Sequence, residues 1–466
     1  MRRRVARMVA GWFLPIGLAS TGAFSTAAPP SNATTYTVTA PTATSPTAAP
    51  AVVPTTPAGK RLSEFLDLAR SGPLSATDYG ALFAAAFRSQ VPLEQFNAIS
   101  EQALGPSVRF ERVVESSANA LVAIVSGKAG RITIQLSVDV ASRIDGLLLT
   151  PVPAATPTRW TEIDSRLAKL APNVRFAATT IGADARCAVV HGVAPDSVGP
   201  LGSAFKLYVL AATADAVAAK RLRWDATVTI RDDWKSLPSG VLQDRSAGTK
   251  VRVSEVADKM ISISDNTAAD LLLQTVGRAR VEAAMRATGI ADPSRNLPFL
   301  STRELFLLKG SSYPALATNY LAADERGRRN LLDTIVAKAK LSTVTPWTRP
   351  RSIGTLEWFG SPTDLCRAYA YLLKDRDPPS AIAIDDALRI NDGGLGLPAT
   401  TWPTVWFKGG SEPGVLTLAY LATDAKDRRF VVAVELDDPA AAFDEQRVAV
   451  ELLAIVKGAF TIMNPG

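Results

Sequence analysis

One histidine in 466 residues closes off much of the familiar catalytic and metal chemistry at the outset. A Ser-His-Asp or Cys-His catalyst would have to be built on His191, and a site with several His ligands is excluded. His191 follows the apolar run Ala188-Val189-Val190 and precedes a turn, so a strand-end or surface role fits it better than catalysis. Cysteine is almost as scarce. Cys187 and Cys366 are compatible with one disulfide of an exported protein or with two buried thiols, and their spacing does not choose between these. Two cysteines cannot make a cysteine-rich zinc site, and the sequence calls for no metal and no cofactor.

Strong charge of one sign is also missing. The formal net charge is +7, but Arg2, Arg3, Arg4 and Arg7 supply four of those charges. Without residues 1–28 the balance is 47 basic against 44 acidic, too even to argue for a nucleic-acid partner. Past the leader, no apolar run is long enough to span a bilayer. The whole chain is 47% hydrophobic and 20% charged, the composition of a soluble globular protein with a real core. The length predicts two or three domains.

Residues 1–28 join an Arg-rich start to a short apolar core (Trp12, Phe13, Leu14, Ile16, Leu18) and the small residues Ser25-Thr26-Ala27-Ala28. They read as a secretory signal peptide, which predicts an exported protein, in the periplasm or secreted, with no membrane anchor after cleavage. Residues 29–59 carry no charge and are dominated by Pro, Thr and Ala, the composition of an extended, flexible linker. Residues 60–150 read as a small accessory α+β domain. Helical spacing of Leu62, Phe65, Leu66 and Ala69, and of Leu82, Phe83, Ala86 and Phe87, gives way to period-two strands. Those strands, 120–125 and 132–138, join around Gly127-Lys128-Ala129-Gly130 as a hairpin. Residues 159–466 read as a larger α+β domain, with strands near both sequence ends and helices between them. That order predicts one antiparallel sheet covered by helices.

Chemistry concentrates where Gly202-Ser203-Ala204-Phe205-Lys206 opens an apolar run with helical spacing, predicting a largely buried helix over 203–218. Ser203 and Lys206 then share one face at the helix start. Burial disfavours the charged amine, lowers its pKa, and suits Lys206 to take a proton from Ser203. The Ser203 N–H, at a helix N-terminus, is free to bind an oxyanion. Two further segments supply walls for such a site. Ser264-Asp265-Asn266 offers a second hydroxyl and an asparagine able to cap the following helix, and Lys408-Gly409-Gly410-Ser411 ends a strand in a cation and two glycines.

In this order, Ser-x-x-Lys, Ser-Asp-Asn and Lys-x-Gly resemble the penicillin-recognising serine hydrolases, class A β-lactamases and penicillin-binding proteins. Ser361-Pro362-Thr363-Asp364-Leu365 is similar to a later helix start of that family. The resemblance covers about 159–466 and implies a β-lactamase/transpeptidase-like fold. It makes Ser203 the acylated nucleophile, Lys206 its base and Ser264 the donor to the leaving nitrogen. Asn266, Lys408, Gly410 and Ser411 become substrate-binding, with the Ser203 and Ser411 N–H groups as oxyanion hole. Asp265 is read as structural.

Two departures qualify it. Gly409 stands where the family has Ser or Thr, which removes one hydroxyl donor to a substrate carboxylate. No Glu-x-x-Leu-Asn string is present. Glu304 lies in the right region as a possible deacylation base, but it lacks the asparagine, and its sequence better fits a helix-start carboxylate. The small domain in front, with the Asn296-Leu297-Pro298 stretch that leads to Glu304, resembles a two-domain branch that includes a serine hydrolase encoded with clavulanic acid biosynthesis. These readings lead to an exported serine hydrolase of a β-lactam or related cyclic amide or ester. A D,D-peptidase or esterase acting on a peptidoglycan-like substrate, and a penicillin sensor that acylates once, are the alternatives.

Overall fold

The computed structural model describes residues 17–18, 52–374 and 376–465. The signal peptide and most of the linker read from the sequence therefore lie outside the described residues, apart from Gly17–Leu18, placed as a two-residue strand against Ile144–Pro151. The chain forms two compact units that divide between Pro153 and Ala154. No helix among the described residues is long and apolar enough to cross a membrane.

The first unit opens with helix Pro57–Ser71, which starts inside the stretch read as linker because Thr56 caps it, accepting from the Gly59 N–H. Three shorter helices, Ala76–Leu82, Ala85–Gln90 and Leu93–Ala103, precede the strands Arg109–Ser116, Ala120–Gly127, Gly130–Val138 and Ile144–Pro151. These pair antiparallel in sequence order, and the hairpin turns at Lys128-Ala129 between paired Gly127 and Gly130. Phe65, Tyr79, Phe83 and Phe96 pack ring against ring beneath the sheet. The first of these strands has no clean alternation in its sequence, being charged or polar at Arg109, Glu111, Arg112 and Glu115. It is the outer strand, mostly exposed along its length.

The second unit is built on a five-stranded antiparallel sheet, ordered Thr404–Glu412, Val415–Thr423, Arg429–Asp437, Asn173–Ile181, Cys187–Val193. Period-two alternation sends its side chains to two separate cores. Leu416, Leu418, Tyr420 and Ala422 pack under helices Trp160–Leu167 and Glu445–Met463. Ala419, Leu421, Val431 and Ala433 face the other way, toward Leu207, Val209 and Leu210. The helix that carries these last three, Lys206–Ala218, is apolar around most of its surface apart from Lys206, Thr213 and Asp215, which is the pattern of a helix largely enclosed by protein. Helices Asn266–Val276, Arg278–Ala287 and Pro362–Leu372 surround it. The last starts as expected, with Ser361 as N-cap and Asp364 completing a capping box.

The open cysteine question resolves to a disulfide, Cys187–Cys366, which ties the outer strand Cys187–Val193 to helix Pro362–Leu372 across 179 residues of sequence. Closing so long a loop removes much entropy from the unfolded chain. Reduction, or Cys187→Ser with Cys366→Ser, is expected to cost about 2–5 kcal/mol, read as a lower urea midpoint than that of the oxidised protein.

Candidate active site

The nucleophile candidate sits on a tighter turn than the sequence predicts. Instead of one α-helix over 203–218, a 3₁₀ turn spans Gly202–Phe205 and passes into α-helix at Lys206. Residues three apart eclipse one another in a 3₁₀ turn, which brings the Lys206 amine to 3.1 Å from Ser203 Oγ. Gly202 is obligatory here. Its φ is +49°, and a Cβ would stand 2.8 Å from the Ser411 nitrogen.

Lys206 is fully buried and touches the second motif at three points. Its Nζ lies 2.7 Å from the Ser264 carbonyl, 3.0 Å from Ser264 Oγ and 2.7 Å from Asn266 Oδ1. Burial pushes its pKa down to about 7, with Asp265 and Asp270 pulling the other way. As a neutral amine it has two N–H bonds and one lone pair. The Ser264 carbonyl and the Asn266 amide oxygen can only accept, so they take both N–H bonds. The lone pair is left for a hydroxyl proton, from Ser203 or from Ser264.

Asn266 is not the helix cap that its position predicts. Asp265 fills that role, accepting from the Ala268 N–H at 2.8 Å and from the Val241 and Leu242 N–H groups. This frees the Asn266 side chain, whose Nδ2 donates to the Leu237 carbonyl and so turns Oδ1 to Lys206. Ser264 has φ +55°, rare for a residue with a Cβ, and its carbonyl is held by Lys206 and by the Ser239 hydroxyl at 2.6 Å.

The third motif closes the site. Lys408, also buried, places Nζ 3.0 Å from Ser264 Oγ, so that hydroxyl lies 3.0 Å from each of two amines. Burial, and then the neighbouring Lys206, push the Lys408 pKa well down. At Gly410 a Cβ would fall 2.6 Å from the Ser203 nitrogen and 2.2 Å from the Leu201 carbonyl. What this glycine admits at close range is the backbone of the nucleophile turn, which brings the Ser411 and Ser203 nitrogens into one neighbourhood.

The structure brings Ser203, Lys206, Ser264, Asn266, Lys408, Gly410 and Ser411 together, but it engages Glu304 elsewhere. Glu304 completes a capping box with Ser301 at the start of helix Thr302–Gly310 and is held in two-point contact by Arg278, at 2.6 and 3.0 Å. His191 hydrogen-bonds Asp164 at 2.8 Å and stacks on Trp160, a packing role. One contact escapes sequence reasoning because its partners are far apart in the chain: buried Lys309 reaches both Glu357 and Glu412, the latter next to Ser411.

Residues 160–338, which include the first two motifs, match the model of the β-lactamase enzyme family. This part of the chain is similar to that family. In front of this β-lactamase-like domain, residues 53–144 match a second model, described as the N-terminal part of an ORF 12 gene product. No curated protein matches the chain. Among solved structures, an acyl-enzyme complex of a PBP-A variant with penicillin G is 19% identical, over 65% of this chain and 98% of its own, with TM-score 0.41. The β-lactamase of Sphaerobacter thermophilus is 18% identical over 66% and 98%, with TM-score 0.45. An ancestral class A β-lactamase, the GNCA protein, is 20% identical over 65% and 98%, with TM-score 0.45.

Proposed function

We propose that this β-lactamase-like chain is a serine hydrolase that opens a cyclic amide or ester through an acyl-enzyme on Ser203. The observation that carries the reading is the single file Ser203 Oγ, Lys206 Nζ, Ser264 Oγ, Lys408 Nζ, with steps of 3.1, 3.0 and 3.0 Å. Ser203 Oγ attacks the carbonyl carbon while neutral Lys206 takes its proton. The carbonyl oxygen gains negative charge near the Ser203 and Ser411 N–H groups. Collapse re-forms the carbonyl and breaks the C–N or C–O bond. Ser264 gives its proton to the leaving atom and recovers one from Lys206, so the base ends neutral.

The experiment is intact-mass spectrometry of the protein over time with penicillins and simple esters. Repeated turnover marks a hydrolase, one persistent equivalent marks a sensor, and reaction with esters or D-Ala-D-Ala peptides alone marks an esterase or D,D-peptidase. Export belongs to the same reading: the disulfide suits an oxidising compartment, and mass of the protein from its host is expected to show a start near Pro29.

A pH dependence follows from Lys206. Its amine works as base only when neutral, and its pKa is pushed down to about 7. Acylation is therefore expected to be slow below that value, to rise through about pH 7, and to level off above it. A rate profile flat from pH 5.5 to 8.5, roughly spanning that value, would remove Lys206 as the base.

A further inference from the structure

Beside the site lies a buried ion cluster that the proposed reaction does not use. Lys309, near the end of helix Thr302–Gly310, has its Nζ 3.4 Å from Glu357 Oε2 and in contact with Oε1 of Glu412, the last residue of strand Thr404–Glu412. Lys309 and Glu357 are buried, and the Glu412 side chain is nearly so. Burial works against the charge on Lys309, but Glu412 and then Glu357 outweigh it and push the pKa above the ordinary lysine value. Apolar side chains of the same volume often serve stability as well as a buried ion cluster does, so stability alone accounts poorly for this one.

The two carboxylates lead to the two sides of the oxyanion position. Glu412 directly follows Ser411, whose N–H is one donor. Glu357 leads to the other, the Ser203 N–H, by way of Trp358. Glu357 Oε1 accepts from the Trp358 N–H at 3.0 Å. The Trp358 carbonyl in turn accepts from the Leu201 N–H at 2.8 Å, and its ring stacks on Phe205 with centroids 3.7 Å apart. Leu201 and Phe205 flank Ser203. The next residues, Phe359–Gly360, pair antiparallel with Gly199–Pro200, so the chain entering the nucleophile turn is held on the same segment. Lys309 itself has a fixed origin. At the start of its helix the Thr302 and Arg303 N–H groups donate to Asp270, one turn after Asn266, at 2.7 and 2.8 Å. Near its end, Arg351 donates to the Lys309 carbonyl at 2.7 Å. One amine therefore joins the nucleophile turn to the third-motif strand, from a helix anchored on the second motif.

We propose that Lys309 is a positioning residue that acts through Glu357 and Glu412 to hold the Ser203 and Ser411 N–H groups at the separation a tetrahedral oxyanion requires. The inference rests on the serine-hydrolase reading above. Both donors must stand about 2.7–3.1 Å from the oxyanion, and a misplacement on the order of 1 Å slows reaction about 10²-fold. An interaction made only in the transition state changes the rate and leaves substrate binding alone.

The probe is an alkyl fluorophosphonate at about pH 8, where Lys206 is mostly neutral. Ser203 Oγ displaces fluoride from phosphorus, Lys206 takes the hydroxyl proton, and the P=O oxygen occupies the oxyanion position. Adduct mass followed over time and concentration gives a maximal labelling rate and a half-saturating concentration. Lys309→Met combined with Glu357→Gln and Glu412→Gln removes the ion cluster without leaving a buried charge unpaired, and is expected to be about as stable as the parent. Its maximal rate is expected to fall about 10²-fold, with the half-saturating concentration within about threefold of the parent. Glu412→Leu frees the Ser411 strand alone, leaves Lys309 paired with Glu357, and is expected to slow labelling about tenfold. It decides the matter if the triple variant does not fold. A cluster that only stabilises the fold would lower the fraction of protein labelled and leave the rate of that fraction unchanged. That result overturns the proposal, as does weaker binding at an unchanged maximal rate. If nothing labels Ser203 in the unmodified protein, the hydrolase reading fails and takes this inference with it.

Discussion

Ser203→Ala is expected to gain no adduct mass from penicillin G, from its methyl ester or from a fluorophosphonate, and to unfold at the same temperature as the parent protein. The hydroxyl removed contributes one contact, 3.1 Å to Lys206, and that amine retains Ser264 and Asn266 as partners. Stability therefore has little to lose, while acylation loses its only nucleophile at this turn. Lys206→Met is the companion case. It keeps a long side chain in the buried slot but removes the base, and a missing general base costs ~10²–10⁴-fold in rate. It also leaves the Asn266 amide oxygen without its donor, at about 1–3 kcal/mol for a buried group, while the Ser264 carbonyl keeps the Ser239 hydroxyl. The pair of variants thus separates chemistry from folding, since Ser203→Ala abolishes labelling at no cost in stability and Lys206→Met slows it at some cost. Adduct mass on a Ser203→Ala protein would move the nucleophile elsewhere.

Much of this site was legible because its parts are local. Ser203 and Lys206 are one turn apart, Ser264 and Asn266 share one loop, and Lys408 to Ser411 is one strand end, so spacing alone defines each fragment. The order of the fragments carried the resemblance that joined them. Finer assignments failed where two residues competed for one role. Asp265 and Asn266 are both good N-caps, and the choice fell to Asp265 because its carboxylate also answers the Val241 and Leu242 N–H groups, a contact from a distant loop. The 3₁₀ start of the Ser203 helix was hidden for a similar reason, being set by the packing of Gly202 and Gly410 against each other's backbones. Lys309 and Glu412 meet only through tertiary structure, and no periodicity links them. The outer strand Arg109–Ser116 was missed because exposure on both faces erases the alternation that marks a strand.

Product release from penicillins is expected as a burst, one fast equivalent followed by a slow steady state. On the proposed reading, the line from Ser203 to Lys408 supplies the groups that acylation needs. Deacylation needs a base that holds a water against the ester carbonyl, and the carboxylates around this site are otherwise employed. Glu304 is clamped by Arg278 and caps its own helix. Asp270 accepts from the Thr302 N–H at 2.7 Å, the Thr302 hydroxyl at 2.9 Å and the Arg303 N–H at 2.8 Å. Glu412 is bound to Lys309. That leaves Lys206 to serve both half-reactions, and a step without its own base runs ~10²–10⁴-fold slower than one that has it. Stopped-flow measurement is expected to give a burst amplitude near one equivalent per protein. Glu304→Gln is expected to leave the steady-state rate within about threefold while lowering stability, because mostly buried Arg278 loses its charge partner. A linear time course whose rate collapses in Glu304→Gln would instead mean that Arg278 releases this carboxylate when the acyl-enzyme forms.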